Sequence, residues 1–213
     1  MRKCDVDLPE PNLLKECMRR LAALDLILCE EEWLCVHQYM PDWAEGVEVG
    51  KIDNGAGDDL FVVFAQGGII VKGFDHESPY SPHAQDEYGV WPGIYEQVPE
   101  ALLQYVQDEA LSTEDVTFCY WRNQGDEHWY SGEYERPEGL DDGSNFLLGY
   151  LNDTVDSYAE WANSYFEVEV DLPAVRQLIE DGRTSAANIA KLNPERKIED
   201  VLGQLIELGV TIE

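Results

Sequence analysis

The chain has 213 residues and a formal net charge of −30, because 44 Asp and Glu residues stand against only 14 Lys and Arg. Such a charge repels nucleic-acid phosphates and anionic membranes and attracts cations or basic proteins, so we predict neither nucleic acid nor membrane as a partner. With 44% hydrophobic and 11% aromatic residues, the chain has material for a sizeable core. Disordered acidic chains are poor in aromatics, and we therefore interpret the acids as the surface of a folded protein.

The negative charge is concentrated in the middle of the chain. Residues 21–175 contain 33 acidic residues and four basic ones. The length suits a single domain over residues 1–213. No apolar run follows the first residues and no stretch of about 18 apolar residues occurs, so we expect neither a signal peptide nor a transmembrane helix. Five cysteines, an odd number without a Cys-x-x-Cys pair, indicate reduced structural thiols and a cytoplasmic protein.

Apolar spacing predicts a helix near the start of the chain. Leu14, Leu21 and Leu28 belong to a set of apolar residues that recurs every three or four positions over 11–28. The next apolar run, 33–39, is rich in aromatic and β-branched residues. It fits either a strand or a continuation of the helix.

The central part of the sequence predicts antiparallel strands. Three apolar segments, 47–52, 60–65 and 69–74, are separated by turns rich in Gly, Asn and Asp, as in a β-meander. Two aromatic segments, 116–122 and 128–134, flank a five-residue loop that contains a glycine. This pattern predicts a hairpin.

Helices account for most of the remainder. One is expected to begin at Pro99, inserted into the sheet region 47–150, and residues 153–208 are expected to form a C-terminal helical region. Within that region, Asn193 is predicted to cap a last helix over 194–208. The fold class is therefore α+β: an antiparallel sheet of about five or six strands, packed by an N-terminal helix and a C-terminal helical group.

The best candidate site is the irregular segment 75–93, which follows the last strand of the meander. In it, His76 lies between Asp75 and Glu77, and His83 follows seven residues later. A His beside carboxylates can act as a general base, and two or three such side chains on one side can hold a metal. If the strand continues, however, Asp75 and Glu77 face away from His76 and cannot chelate with it. A structural turn and a protein-contact surface are the other two interpretations.

Two further patterns indicate structure more than chemistry. The turn over 55–59 is rich in glycine, but two Asp and a strand follow it instead of the Lys and helix of a phosphate loop, and its spacing does not match a calcium loop. Aromatic residues around the 116–134 hairpin could stack on bases, yet only Arg122 and Arg136 accompany them. Nucleic-acid binding is therefore disfavoured, and packing is the simpler interpretation.

Several motifs carry a resemblance to a known family. They are Gly55-Ala56-Gly57-Asp58-Asp59, Lys72-Gly73-Phe74-Asp75-His76-Glu77-Ser78, Trp91-Pro92-Gly93, Thr117-Phe118-Cys119-Tyr120-Trp121-Arg122 and Asn193-Pro194. Through them the chain resembles a family of uncharacterised bacterial acidic α+β proteins over most of its length. The resemblance implies no activity. In size and acidity the chain also resembles toxin-immunity proteins, a likeness that rests on no motif.

The main hypothesis is a non-enzymatic acidic binding protein of the bacterial cytoplasm, of immunity or adaptor type, with a basic protein as partner and no cofactor. The predicted contact residues are Asp58, Asp59, Asp75, His76, Glu77, His83, Trp91, Asp126 and Glu127. One alternative is a metal-dependent or acid/base enzyme. Its predicted ligands or catalytic groups are Asp75, His76, Glu77 and His83. The other alternative is that the acidity adapts the protein to a salty cytoplasm.

Overall fold

The computed structural model describes residues 2–4, 6, 8–152 and 154–213, and of Glu32 only the backbone. The chain divides into two compact units. Unit 1 consists of Met1–Pro11 and Asp42–Tyr150, and unit 2 consists of Asn12–Pro41 and Leu151–Glu213. The single domain predicted for residues 1–213 stays a prediction.

An antiparallel sheet is built around the strands of unit 1. In the described part of the chain its strands are β1 (Arg2–Lys3), β2 (His37–Ala44), β3 (Val47–Asp53), β4 (Asp59–Ala65), β5 (Gly68–Phe74), β6 (Phe118–Asn123) and β7 (Tyr130–Ser131). The order across the sheet is β1-β7-β6-β5-β4-β3-β2. The α+β class is confirmed, with seven strands among the described residues instead of the five or six predicted.

The strand that the sequence did not predict is β1, whereas β2 was one of two structures considered for its segment. Strand β1 has only two residues, and it pairs with β7 through Arg2 opposite Ser131 and Lys3 opposite Tyr130. Before β2, the backbone makes a short 3-10 turn at Glu32–Leu34. Of the two structures considered for 33–39, the strand is therefore the one observed, from His37 onward.

The predicted meander is present as β3, β4 and β5, each paired antiparallel with the next. All seven residues of β5 are buried, as expected for an apolar strand that is covered on both faces. Gly73 in this strand stands opposite Phe118 of β6. The Phe118 ring occupies the space that a Cβ at position 73 would need, so this position requires glycine.

Two helices belong to unit 1. Helix α2 (Glu100–Val106) contacts β5, and α3 (Ser144–Leu148) contacts β4. Pro99 is the N-cap of α2 and not its first helical residue. The prediction gave the sheet only one inserted helix and assigned its packing to the N-terminal helix and the C-terminal group. Within unit 1, it is α2 and α3 that contact strands.

Unit 2 contains the other helices of the described residues together with a small parallel sheet. The helices are α1 (Pro11–Leu28), α4 (Val155–Tyr165), α5 (Leu172–Asp181), α6 (Ala186–Leu192) and α7 (Ile198–Glu207), and the sheet pairs β8 (Arg183–Thr184) with β9 (Thr211–Ile212). The helix predicted over 11–28 is α1. The predicted start of the C-terminal region, Asp153, lies outside the described residues.

Side chains of unit 2 cap helices that are distant in sequence. Arg20 of α1 donates to the carbonyl of Ile179 at 2.7 Å, near the end of α5. Asn193 donates to the carbonyls of Ile27 and Leu28, each at 3.1 Å, at the end of α1. The predicted role of Asn193 as the cap of a helix over 194–208 is wrong, because α7 begins at Ile198 with Lys197 as its N-cap.

A buried carboxylate connects three elements of unit 2. Asp25 of α1 accepts hydrogen bonds from the His37 backbone N–H at 2.8 Å and from the Tyr158 hydroxyl at 3.0 Å. The ring Nδ1 of His37 lies 3.0 Å from the same carboxylate. Asp25 and Tyr158 are completely buried, so each hydrogen bond also removes the cost of an unpaired polar group. Burial beside this carboxylate raises the pKa of Tyr158 well above its ordinary value.

The apolar character of the helices and the state of the cysteines agree with what the sequence predicts. Among the described residues, none of the helices combines the length and the apolar character needed to cross a lipid bilayer. The five cysteines are all free thiols, and Cys29, Cys35 and Cys119 are buried. Buried free cysteines behave as small apolar residues.

Candidate functional site

The turn between β3 and β4 and the residues after β5 meet at one end of the sheet. The register places Asp59 opposite both Asp53 and Phe74, so residues just before β4 and just after β5 are neighbours. Potential ligand atoms of Asp58, Asp75 and His76 all lie within 4.8 Å of one another there. We call these three residues the sheet-end cluster.

Asp58 fixes the position of His76. Its Oδ1 accepts a hydrogen bond from the His76 backbone N–H at 2.9 Å and lies 2.7 Å from the His76 ring Nδ1. Its Oδ2 accepts from the Asn54 side chain at 2.7 Å. Burial opposes ionisation of Asp58, but these hydrogen bonds outweigh it and hold the pKa of the carboxyl below its usual range. The same hydrogen bond to Asp58 raises the pKa of His76.

Asp75 completes the sheet-end cluster through a tight turn. Strand β5 ends at Phe74, and Asp75 Oδ1 accepts from the Glu77 backbone N–H at 2.9 Å. The Asp75 backbone N–H reaches Thr117 Oγ1 at 3.3 Å, and the Asp75 side chain lies where a Cβ on Gly143 would be. Because the strand does not continue past Phe74, its alternation no longer separates Asp75 from His76.

The structure thus unites only part of the predicted metal set. Asp75 and His76 converge with Asp58, which the prediction placed on the contact surface. Glu77 and His83 are not members of the cluster found in the described residues. His83 Nε2 lies 3.2 Å from Asp115 instead. Chemically, the cluster offers two carboxylates and one imidazole, and its internal hydrogen bonds tie the β3–β4 turn to the segment after β5.

Asp59 points into the protein. Its Oδ1 lies 3.5 Å from the ammonium of Lys72, whose side chain is completely buried. Burial lowers the pKa of Lys72 and raises that of Asp59, and the attraction between them opposes both changes. The Lys72 ammonium also lies 5.2 Å from the centre of the Phe61 ring. Asp59 is therefore a structural partner of Lys72 more than a surface contact.

The segment after the sheet-end cluster is held by its own hydrogen bonds. Ser78 Oγ donates to the carbonyl of Asp141 at 2.7 Å, and Gln85 Nε2 donates to the carbonyl of Pro79 at 2.8 Å. The ring of Tyr80 packs against Trp91 with a centroid distance of 4.7 Å. Trp91, predicted as a contact residue, is half-buried in this packing.

An exposed tyrosine lies among carboxylates further along this segment. Tyr88 is 56% exposed, and its ring centre lies 5.1 Å from that of His83. Burial and a hydrogen bond to Glu114, with the nearby charge of Asp115, raise the pKa of the Tyr88 hydroxyl. Asp86 and Glu87 precede it and are exposed. We define the Tyr88 patch as His83, Asp86, Glu87, Tyr88, Glu114 and Asp115.

The hairpin predicted as part of the same contact surface lies elsewhere. Asn123 at the end of β6 pairs with Gly68 at the start of β5, whereas Asp59 and Phe74 mark the other end of these strands. Asp126 and Glu127 are therefore at the opposite end of the sheet from the sheet-end cluster. Asp126 accepts from the Asn123 side chain at 2.8 Å, which stabilises the hairpin.

Sequence reasoning missed a group of basic residues. Arg2, Lys3 and Arg136 line one cavity of unit 1, although Arg136 follows Lys3 by 133 positions in the sequence. The sequence feature that could have pointed to this group is the scarcity of basic residues in unit 1. Only six Lys and Arg occur there, so three of them around one cavity are half of the total.

The chain was compared with family models, with curated proteins and with solved structures, and none of them matches. The resemblance to a bacterial family therefore stays a prediction, and the function has to be argued from the geometry described above.

Proposed function

We propose that the protein is a non-enzymatic binding protein of the bacterial cytoplasm that captures a basic protein. The Tyr88 patch is the centre of the contact surface in this proposal. The loop that carries it begins in the predicted surface, at the exposed residues His76 and Glu77. Binding, and no chemical reaction, is the function.

The observation that carries the proposal is an exposed aromatic ring among carboxylates that have no Lys or Arg partner in the described part of the chain. Within the described residues, no Lys or Arg makes an ion pair with an acid of the Tyr88 patch. A Lys or Arg side chain of a partner can lie over the Tyr88 ring and reach these carboxylates, a contact worth about 0.5–2 kcal/mol from the ring alone. Tyrosine is also enriched among the residues that dominate binding energy at protein interfaces.

Rigidity of the loop strengthens this argument. The hydrogen bonds of Ser78 and Gln85 hold the loop in place, and Ser81 caps the short turn Pro82–Ala84 through the His83 backbone N–H. A surface that is ordered before binding loses less conformational entropy when the partner arrives. The loop that leads to the patch, up to Gln85, is therefore held in place before a partner binds.

The charge of unit 1 supports the choice of a basic partner. Unit 1 has 26 Asp and Glu but only six Lys and Arg, a net charge of −20. Four of the six cations are paired within the unit, at Lys51–Asp53, Lys72–Asp59, Arg122–Glu10 and, at 3.9 Å, Arg136–Asp142. The excess carboxylates produce a long-range field that speeds the approach of a basic partner and weakens with salt.

The test is capture from extracts of the source cells at low salt, followed by elution at high salt. Wild type is compared with a patch variant, Asp86→Asn/Glu87→Gln/Glu114→Gln. The matched control, Glu195→Gln/Glu199→Gln/Asp200→Asn, removes the same number of exposed charges from unit 2. We expect one basic protein that is released by salt, retained by the control, and bound at least tenfold more weakly by the patch variant.

Two results would count against the proposal. Capture of neutral partners only, unaffected by salt, would mean that the carboxylates do not recognise the partner. Equal losses in the patch and control variants would mean that net charge alone matters, which is the outcome expected if the acidity is an adaptation to salt. Tyr88→Ala separates these cases further, because it removes the ring without changing any charge.

The sheet-end cluster supports a second candidate, a metal-dependent or acid/base protein. Its specific observation is the convergence of Asp58, Asp75 and His76 within 4.8 Å. The test is calorimetric titration with Zn²⁺ and Mn²⁺ of wild type, His76→Asn, and the control Glu77→Gln. Binding that is lost in His76→Asn and kept in Glu77→Gln supports a metal site. No binding by wild type leaves the cluster as a structural connection between two turns.

A further inference from the structure

Unit 1 contains a cavity of about 580 Å³ beside the edge of its sheet. One wall is a row of residues paired across three strands, in which Arg2 of β1 stands opposite Ser131 of β7 and Ser131 opposite Tyr120 of β6. The other walls come from Tyr80 and from the segment that includes Arg136 and leads into α3. This volume is typical of sites for small molecules.

The charges at the cavity differ from those of the unit around it. The described residues that line it include three cations, Arg2, Lys3 and Arg136, and two carboxylates, Asp141 and Asp142. Both carboxylates accept backbone hydrogen bonds, Asp141 from Gly143 and Asp142 from Ser144. The described part of the lining thus has an excess of one positive charge, in a unit of net charge −20.

Arg136 is held in position at the cavity. Its guanidinium lies over the Tyr134 ring, 4.7 Å from the ring centre, and donates to the Tyr134 hydroxyl at 2.7 Å. Asp142 is 3.9 Å away, at the outer limit of an ion pair. For Arg2 and Lys3, no ion pair joins them to any residue that the structure describes. All three cations line the cavity, where an anion that enters can reach them.

Tyr80 adds a phenol to the wall of the cavity. The residue is only 1% exposed to solvent, and it lines the cavity together with Asp142 and Arg136. Burial and the charge of Asp142 raise the pKa of Tyr80, and the charge of Arg136 lowers it. A protonated phenol can donate a hydrogen bond to an anion.

We infer that this cavity binds a small oxyanion-bearing molecule, a carboxylate or a phosphate, which is held by Arg2, Lys3 and Arg136 and hydrogen-bonded by Tyr80. Guanidinium groups match the planar or branched oxygens of these anions and bind them with two hydrogen bonds. The three cations at the cavity explain how an anion is held by a protein that repels anions elsewhere. The Tyr88 patch has no part in this inference.

The experiment is an NMR titration of the full chain, labelled with ¹⁵N, with inorganic phosphate and separately with citrate. Ionic strength is kept constant with NaCl. We expect saturable shifts at the amides of Ser131, Gly143 and Ser144 with at least one of the two probes. Arg136→Gln should raise the dissociation constant about tenfold. Arg183→Gln, which removes the same charge from an exposed site in unit 2, should leave it unchanged.

Tyr80→Phe gives a second, milder comparison, because it removes one hydroxyl and keeps the ring that packs on Trp91. Weaker binding by several-fold with unchanged stability supports the site. Shifts with phosphate alone identify a phosphate ligand, and shifts with citrate alone identify a carboxylate. The inference is overturned if neither probe shifts these amides, or if Arg136→Gln and Arg183→Gln weaken binding equally.

Discussion

Unit 1 has six Lys and Arg for its 26 Asp and Glu, and unit 2 has eight for 18. In unit 2 the cations pair with near neighbours on the surface, as Arg176 does with Glu180 at 2.6 Å and Arg183 with Glu213 at 2.7 Å. In unit 1 four of the six cations make ion pairs, and one of these four, Arg136, lines a cavity together with Arg2 and Lys3. Most carboxylates of unit 1 therefore have no cation beside them, and this is the basis of the proposed recognition.

The buried polar groups of the two units sharpen this comparison. Unit 2 buries the carboxylate of Asp25 with hydrogen-bond donors, whereas unit 1 buries the ammonium of Lys72 beside Asp59. Both arrangements stabilise the fold. Both units thus pair their buried charged groups, and the contrast between them lies in the balance of charges on their surfaces. The following substitutions measure how much each buried arrangement contributes to the free energy of unfolding.

The largest effect is expected for Asp25→Ala in unit 2. The substitution leaves the backbone and ring of His37 and the hydroxyl of Tyr158 without their partner in a dry interior. We expect a loss of about 4 kcal/mol in the free energy of unfolding, measured by urea denaturation. Tyr158→Phe removes one of these hydrogen bonds and should cost about 1 kcal/mol. Equal losses in the two variants would show that Asp25 does not organise the network.

A smaller effect is expected for Lys72→Met in unit 1. The substitution keeps the buried stem but leaves the half-buried carboxylate of Asp59 without its cation. We expect a loss of about 3 kcal/mol by the same measurement. The double variant Lys72→Met/Asp59→Asn should recover part of this loss, because no unpaired charge remains. A double variant less stable than Lys72→Met alone would contradict the assigned pairing.

The smallest effect concerns His76 and depends on pH. Because its hydrogen bond to Asp58 raises the pKa of His76 above 6.5, the protonated ring stabilises the folded state. That stability is fully present below pH 6.5 and is lost as the pH rises through the raised value. His76→Gln should therefore lower the melting temperature more at pH 5.5 than at pH 8.5. A difference that grows toward pH 8.5 would contradict the Asp58–His76 contact.

Regular patterns made much of the fold predictable from sequence. Helix α1 and the β3–β5 meander follow apolar spacing that repeats over many residues, so local sequence was sufficient. Strand β1 has two residues, and its partner β7 is more than 120 residues away in the sequence. No local sequence pattern therefore predicts this strand. Asn193 was misassigned because an Asn before Pro has the pattern of a helix cap, whereas its side chain serves the distant end of α1.

Local sequence patterns were likewise insufficient to predict the candidate sites. The pairing of β4 with β5 and the end of the strand at Phe74 were predicted, yet the meeting of Asp58 with His76 depends on how the chain turns after Phe74, which the sequence left open. The Tyr88 patch lies within the segment 75–93 that was predicted as functional, but Glu114 and Asp115 join it through the fold. The cavity with Arg136 depends entirely on long-range pairing by β1.

The most direct test of the account is the salt dependence of binding to the captured partner. The dissociation constant is measured for wild type and for the variant Asp86→Asn/Glu87→Gln/Glu114→Gln over a series of NaCl concentrations. The account predicts that wild-type affinity falls steeply as salt rises, and that the variant binds more weakly with a shallower dependence. An affinity that is independent of salt, or a slope that the variant leaves unchanged, would contradict recognition by the carboxylates of unit 1.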